Sequence, residues 1–123
     1  MDFAATRIIT DDVDRLVAFY ERVTGVTANR LHEMFAELRT PSGTLAVSSS
    51  ATVPLLGDDA AQASANRSAI LDFRVDDVDA LYPTLRGVVD EFVNEPTTMP
   101  WGNRSLLFRD PDGNLVNFFT PVG

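Results

Sequence analysis

A six-residue frame occurs twice in this chain. Asp11-Asp12-Val13-Asp14-x-Leu16 recurs as Asp76-Asp77-Val78-Asp79-x-Leu81, displaced by 65 positions. A second frame, Arg39-x-Pro41-x-Gly43-x-Leu45, recurs as Arg109-x-Pro111-x-Gly113-x-Leu115, displaced by 70. Two frames copied in the same order mark an internal duplication, so the fold must be built from two like modules. We expect a single domain made of module 1 (1–50), a linker (51–67) rich in Ala, Ser and Asp with Pro54 and Gly57, and module 2 (68–123).

Local patterning gives each module the same order. Phe3 to Thr10 is rich in Ile, Thr and Phe and reads as a strand leading to a helix cap at Asp11 or Asp12. Val13, Leu16, Val17, Tyr20 and Val23 then follow helical spacing, and Gly25 stands where a left-handed C′ residue is wanted. Thr27 to Arg39 supplies two short strands, Pro41-Ser42-Gly43 a turn, and Leu45-Ala46-Val47 the start of a fourth strand. In the second copy Ile70 to Val75 is a strand, and Val78, Leu81, Tyr82 and Leu85 form a helical face. Pro83 interrupts that helix, because its missing N–H and its ring break the i to i−4 ladder, and a kinked or shortened helix is expected. Phe92 to Asn94 reads as a short strand and Pro96 to Gly102 as a loop. Arg104 to Arg109 and Leu115 to Thr120 form a hairpin about the Asp110-Pro111-Asp112-Gly113 turn.

Charge and composition narrow the function. With 18 acidic against 10 basic side chains the net charge is −8, which offers nucleic-acid phosphates no positive field. Zero cysteines exclude disulfides and thiol chemistry. No N-terminal h-region is visible, and the longest apolar run, Leu16 to Tyr20, falls far short of the roughly 18 residues a span needs. We expect a cytoplasmic protein with neither a membrane nor a nucleic-acid partner.

The order strand, helix, strand, strand, strand, taken twice, carries a resemblance. So do Asp12-Val13-Asp14-Arg15-Leu16-Val17-Ala18-Phe19-Tyr20 before Gly25, and Pro100-Trp101-Gly102-Asn103-Arg104 before Asp110-Pro111-Asp112-Gly113-Asn114. The chain resembles the glyoxalase, bleomycin-resistance protein and extradiol dioxygenase superfamily, also called vicinal oxygen chelate proteins, over nearly its whole length. The resemblance implies an α+β fold of two βαβββ modules forming an open, barrel-like cleft, and a homodimer. In metal-dependent members it implies ligands from the first and last strand of each module, which here fall on Ala5 and Val47 in one half and Ile70 and Asn117 in the other. Only Asn117 among these carries an oxygen, and the chain has a single histidine. We therefore expect no metal and no cofactor.

Side chains alternate across strands, so Arg7, Asp72 and Arg74 share the face of Ala5 and Ile70, and Leu115, Asn117 and Phe119 share theirs. Asn117 is either a hydrogen-bonding ligand contact or a satisfied core amide. Trp101 has no core-patterning reason to sit in a Pro/Gly loop; it either contacts ligand or packs on a dimer partner. Arg104 is placed to reach a ligand carbonyl or carboxylate, and His32, Phe35 and Met99 complete the candidates. No nucleophile–base or paired-carboxylate spacing argues catalysis. The reading that results is a metal-free protein that binds a drug-like small molecule, in the manner of bleomycin-resistance proteins. The alternatives are a lyase or isomerase of the same superfamily, and a structural or regulatory dimer whose cleft is filled by Phe108, Phe119 and Trp101.

Overall fold

A computed structural model describes residues 1–122. The chain divides into two compact units, Met1–Ala65 and Asn66 onward. The first contains β1 (Thr6–Thr10), α1 (Val13–Thr24), β2 (Asn29–His32), β3 (Phe35–Arg39), β4 (Thr44–Ser49), a 3-10 turn (Ser50–Thr52) and the short α2 (Val53–Leu56). The second contains β5 (Ile70–Arg74), α3 (Val78–Leu85), β6 (Glu91–Phe92), β7 (Thr97–Thr98), β8 (Asn103–Arg109) and β9 (Leu115–Pro121). Two sheets and few helices make this an α+β fold.

The two sheets repeat one topology. Their orders are β1-β4-β3-β2 and β5-β9-β8-β6, with β7 on β8. In each, the strand before the helix pairs in parallel with the last strand, and the other pairings are antiparallel. That parallel pair requires a crossover, and the helix supplies it.

Each helix starts on the duplicated frame. Asp12 caps α1 by accepting from the Arg15 N–H at 3.0 Å, and Asp77 caps α3 by accepting from the Ala80 N–H at 3.2 Å. Gly25, at φ 73°, closes α1 with its N–H on the Glu21 carbonyl at 3.0 Å. Between these ends α1 buries Val13, Leu16, Val17, Phe19, Tyr20 and Val23. Truncating one such leucine to alanine typically costs about 2–5 kcal/mol. α3 has 8 residues against 12 in α1, with Pro83 inside it, so the helix is shortened as its proline implies.

Beneath α3 runs a chain of edge-to-face aromatics. Tyr82 meets Phe92 at 5.3 Å, Phe92 meets Phe108 at 6.0 Å, Phe108 meets Phe118 at 5.0 Å, and Phe118 meets Phe73 at 5.6 Å between ring centroids. Such pairs add about 0.5–1.5 kcal/mol each beyond burial, and they fix this face of the second sheet as core.

Several boundaries move. β1 begins at Thr6, three residues later than its composition suggests, because Thr6 already pairs with Leu45 and only Thr44 of β4 lies beyond it; Phe3 is 86% exposed. The loop at Pro96–Gly102 carries the two-residue strand β7. The stretch expected to be a linker folds in part, as a 3-10 turn and α2. Ser49 starts it by accepting from the Ala51 N–H at 3.1 Å.

Candidate functional site

The second sheet presents one face to α3 and leaves the other free of any helix of its own unit. Register assigns that other face without ambiguity. Asp72 pairs with Asn117, Ile70 with Leu115 and Arg74 with Phe119 on one side of β9; Leu107, Arg109 and Ser105 pair with the same three β9 residues on the other. Paired residues point the same way, so Asn117 stands at the centre of this face with Asp72 and Leu107 as flanking neighbours. Val116 and Phe118, between them, are buried on the α3 side.

Asn117 and Asp72 are joined directly. The Asn117 Nδ2 donates to Asp72 Oδ1 at 3.0 Å. A carboxylate has only acceptors, so the amide must turn its nitrogen toward it. The consequence falls on the other end of the carboxamide: Asn117 Oδ1 is closed off from solvent and has no donor. An amide oxygen left this way costs about 1–3 kcal/mol. Asp72 is exposed, and among the described residues no ion pair claims it. Arg109, on the same face, is held by the Gly113 carbonyl at 3.1 Å and lies 3.7 Å from Glu91.

The turn that delivers β9 is built to hold Asn117 in place. Asp110, only 5% exposed, accepts from the Asp112 and Asn114 N–H groups at 2.9 Å and from the Asn114 side chain at 2.8 Å. Asn66 in turn donates to Asn114 Oδ1 at 3.2 Å. Gly113, at φ 83°, takes the left-handed step that the turn requires.

Other expected contacts lie elsewhere. Arg104 is on the α3 side of the sheet, where its guanidinium forks onto Asp79, with Nε to Oδ2 at 2.5 Å and Nη2 to Oδ1 at 2.9 Å. That pair draws the Asp79 carboxyl below its ordinary value, through the hydrogen bond first. Trp101 sits in the turn between β7 and β8, 73% exposed. Asn103, the nearer end of β8, is four residues from Leu107, or about 13 Å at a strand's rise. Met99 belongs to the same turn, its carbonyl accepting from the Gly102 N–H at 2.9 Å. Phe108 lies in the aromatic chain against α3 and is fully buried there, so it cannot fill the opposite face.

Arg7, Phe35 and His32 belong to the first unit. Arg7 is exposed on β1, aligned through Ala46 with Glu37. Phe35 pairs with Ser48 and, past an irregularity in β2, with His32. The His32 ring is exposed and accepts from the Met34 N–H through Nδ1 at 3.2 Å. Register also corrects the place of Val47. Arg7, the counterpart of Asp72, pairs with Ala46, so Ala46 is the counterpart of Asn117; Val47 is fully buried on the α1 side. The connection from β3 to β4 spans residues 40–43 and that from β8 to β9 spans 110–114. One residue fewer flips every side chain that follows.

A concavity of about 600 Å³ lies in the first unit, bordered by Asp11, Ser50, Val53, Asp58, Asp59 and Gln62. Most of its border belongs to the stretch that composition marks as a linker, with Asp11 and Ser50 from module 1, and it shares no residue with the sheet face around Asn117.

The Glyoxalase/Bleomycin resistance protein/Dioxygenase superfamily matches this chain over residues 2–118. The chain belongs to that superfamily. No curated protein matches it. Solved structures of the superfamily share its fold. One is a family enzyme from Burkholderia phytofirmans PsJN, with a TM-score of 0.88 and 19% identity over 99% of this chain and 100% of the other. A glyoxalase-related enzyme from Fulvimarina pelagi gives 0.82 and 18% over 99% and 92%. A glyoxalase/bleomycin resistance protein/dioxygenase from Nocardioides gives 0.79 and 22% over 99% and 84%.

Within this superfamily the metal positions can be tested on the residues present. They are Ala5 and Ala46 in the first unit, Ile70 and Asn117 in the second. Ala5 and Ala46 in the one unit offer no ligand atom, and in the other an amide oxygen next to Ile70 does not fit a divalent ion, which wants several imidazoles or carboxylates converging. Among the described residues no three His, Asp or Glu side chains gather elsewhere.

Proposed function

We propose that this superfamily member binds a small organic molecule on the open face of its second sheet and sequesters it without a metal. The observation that carries the reading is the state of Asn117. At a strand position where metal-dependent relatives present a carboxylate, this chain places an amide whose oxygen is shut away from water and lacks a donor. Buried polar atoms without partners are rare and concentrate where function needs them. Leu107, Leu115, Ile70 and Phe119 around it offer apolar contact, and Asp72 offers one charge. A few fixed polar groups among apolar side chains are the ordinary make-up of a small-molecule site.

Lyase or isomerase chemistry finds less support. It wants an acid and a base within reach of one reacting atom, and on this face Asp72 has an amide, not a second titratable group, as its hydrogen-bonded neighbour. We further propose that the chain works as a homodimer. Phe3, Leu31, Leu55 and Trp101 all expose large apolar side chains, and light scattering at micromolar concentration tests that part.

Thermal shift against a panel of glycopeptide, quinone and anthracycline-like compounds tests the binding reading. A ligand at 100 times its Kd stabilises the native state by about 2.7 kcal/mol. A bound compound should raise Tm, and Asn117→Leu should abolish the rise. A panel that leaves Tm unchanged in the native protein sinks the proposal, as does a stoichiometric transition metal in protein purified without chelator.

A further inference from the structure

The Asp72–Asn117 pair also specifies what kind of molecule it takes. Resting on the reading above, we infer that the ligand is an organic cation of the amidinium type, with two parallel N–H donors on an apolar, planar body.

The direction of one carboxamide points to this ligand. In the structure Asn117 gives its Nδ2 to Asp72 and withdraws Oδ1 from water, although water is a good donor. The charge on Asp72 explains this: an amide oxygen beside an anionic carboxylate is repelled, whereas the amide nitrogen is attracted. The orphaned acceptor is therefore a consequence of Asp72 having no cation. Asp72 is exposed, and the four ion pairs among the described residues use other acids. Arg74, two places along the edge strand, aligns with Phe119, and Arg109 aligns with Leu115 and is already engaged.

A ligand cation on Asp72 reverses the preference. The terminal torsion of an asparagine is broad and nearly twofold, so the torsion itself opposes a turn of the carboxamide about Cβ–Cγ only weakly. Turning it brings Oδ1 to the place now held by Nδ2. An anionic oxygen and an amide oxygen then stand side by side facing outward, which is the acceptor pair that two parallel N–H groups of an amidinium require. The oxygen gains its donor in the same step, while Nδ2 moves to the closed position, so the two charge-assisted bonds to the ligand must outweigh one unpaired amide N–H2. Leu107 across the ladder, and Leu115 and Phe119 two places either way along β9, flank the pair with apolar surface that suits a flat hydrophobic body. The net charge of −8 adds a long-range preference for cations over anions.

The probes that separate the possibilities are benzamidine, benzamide and benzoate, equal in shape and differing in charge and donors. Each is titrated into the ¹⁵N-labelled full chain. Benzamidine should move the backbone resonances of Asp72, Leu107 and Asn117, shift the Asn117 side-chain amide pair strongly, and bind at least tenfold tighter than benzamide, with benzoate silent. Asp72→Asn should keep its dispersed spectrum and lose the tenfold preference. If benzamide or benzoate moves the same residues as tightly as benzamidine, the sheet-face site stands and the cation inference is wrong. If benzamidine moves only residues outside this face, the inference is likewise overturned. If all three leave the face silent, the inference and the binding reading on which it rests both fall.

Discussion

Asn117 and Asp72 sit directly opposite each other on neighbouring parallel strands, and the amide of one donates to the carboxylate of the other at 3.0 Å while its own oxygen stays unpaired. This arrangement costs stability wherever it brings no ligand. A protein that retained it for packing alone would do better with a hydrocarbon.

Asn117→Leu should therefore leave the free protein as stable as before or more stable by about 1–2 kcal/mol, since it removes an unsatisfied buried acceptor. Asp72, being exposed, can exchange its lost donor for water. Urea unfolding monitored by circular dichroism reads the change, and a loss above about 2 kcal/mol would mean that Oδ1 has a partner in solution.

Asp110→Ala should be among the most damaging single changes in the second unit. It strips a buried carboxylate that accepts from the Asp112 N–H, the Asn114 N–H and the Asn114 side chain. Hydrogen bonds to charged groups contribute about 1.5–3 kcal/mol each, so an overall loss of about 3–5 kcal/mol is expected in the same unfolding assay. Because this turn positions Asn117, ligand response should weaken with it.

Pro83→Ala should stabilise. Pro83 is exposed and lies inside α3, where it can give no hydrogen bond to the Asp79 carbonyl four residues back. Relieving a helix-interior proline recovers up to about 3 kcal/mol, and thermal melts should show an increase in Tm together with a small gain in helical ellipticity.

Asp79→Asn should lower Tm at pH 7 and have less effect as the medium becomes acid. The Arg104 guanidinium holds the Asp79 carboxyl below its ordinary value of 3.8. A depressed carboxyl contributes stability that is present above its unfolded pKa and is lost as pH falls through the folded one. The difference between the two proteins should therefore be full at neutral pH and close below about pH 4. The Arg104 guanidinium, raised above its ordinary value by the same hydrogen bond, would show its side only in strong alkali. A difference independent of pH would assign the effect to packing.

The duplicated frame, the caps at Asp12 and Asp77 and the amphipathic face of α1 are legible without any structure, because each depends on residues at most a few turns apart. From them follow two like modules, and with the resemblance, the α+β fold. The strong period-2 patterning of β5 and β9 likewise places Asp72, Asn117 and Phe119 on one face and Phe73, Val116 and Phe118 on the other. Leu107 could have been added by extending the same alternation to β8.

What tertiary structure alone decided depends on pairing between distant strands. The shorter turn after β3 slips β4 by one place and exchanges Val47 for Ala46, and a motif aligned on glycines does not register that slip. Arg104 lies on the helix side by its register opposite Thr120, and there it meets Asp79, 25 residues away in sequence. Trp101 was left at a hairpin tip by hydrogen bonds of its own turn. The identity of Asn117 is written in the chain; that its oxygen faces no donor follows only from which residue stands across the ladder, and Asp72 stands there because β5 and β9 run parallel in one particular register.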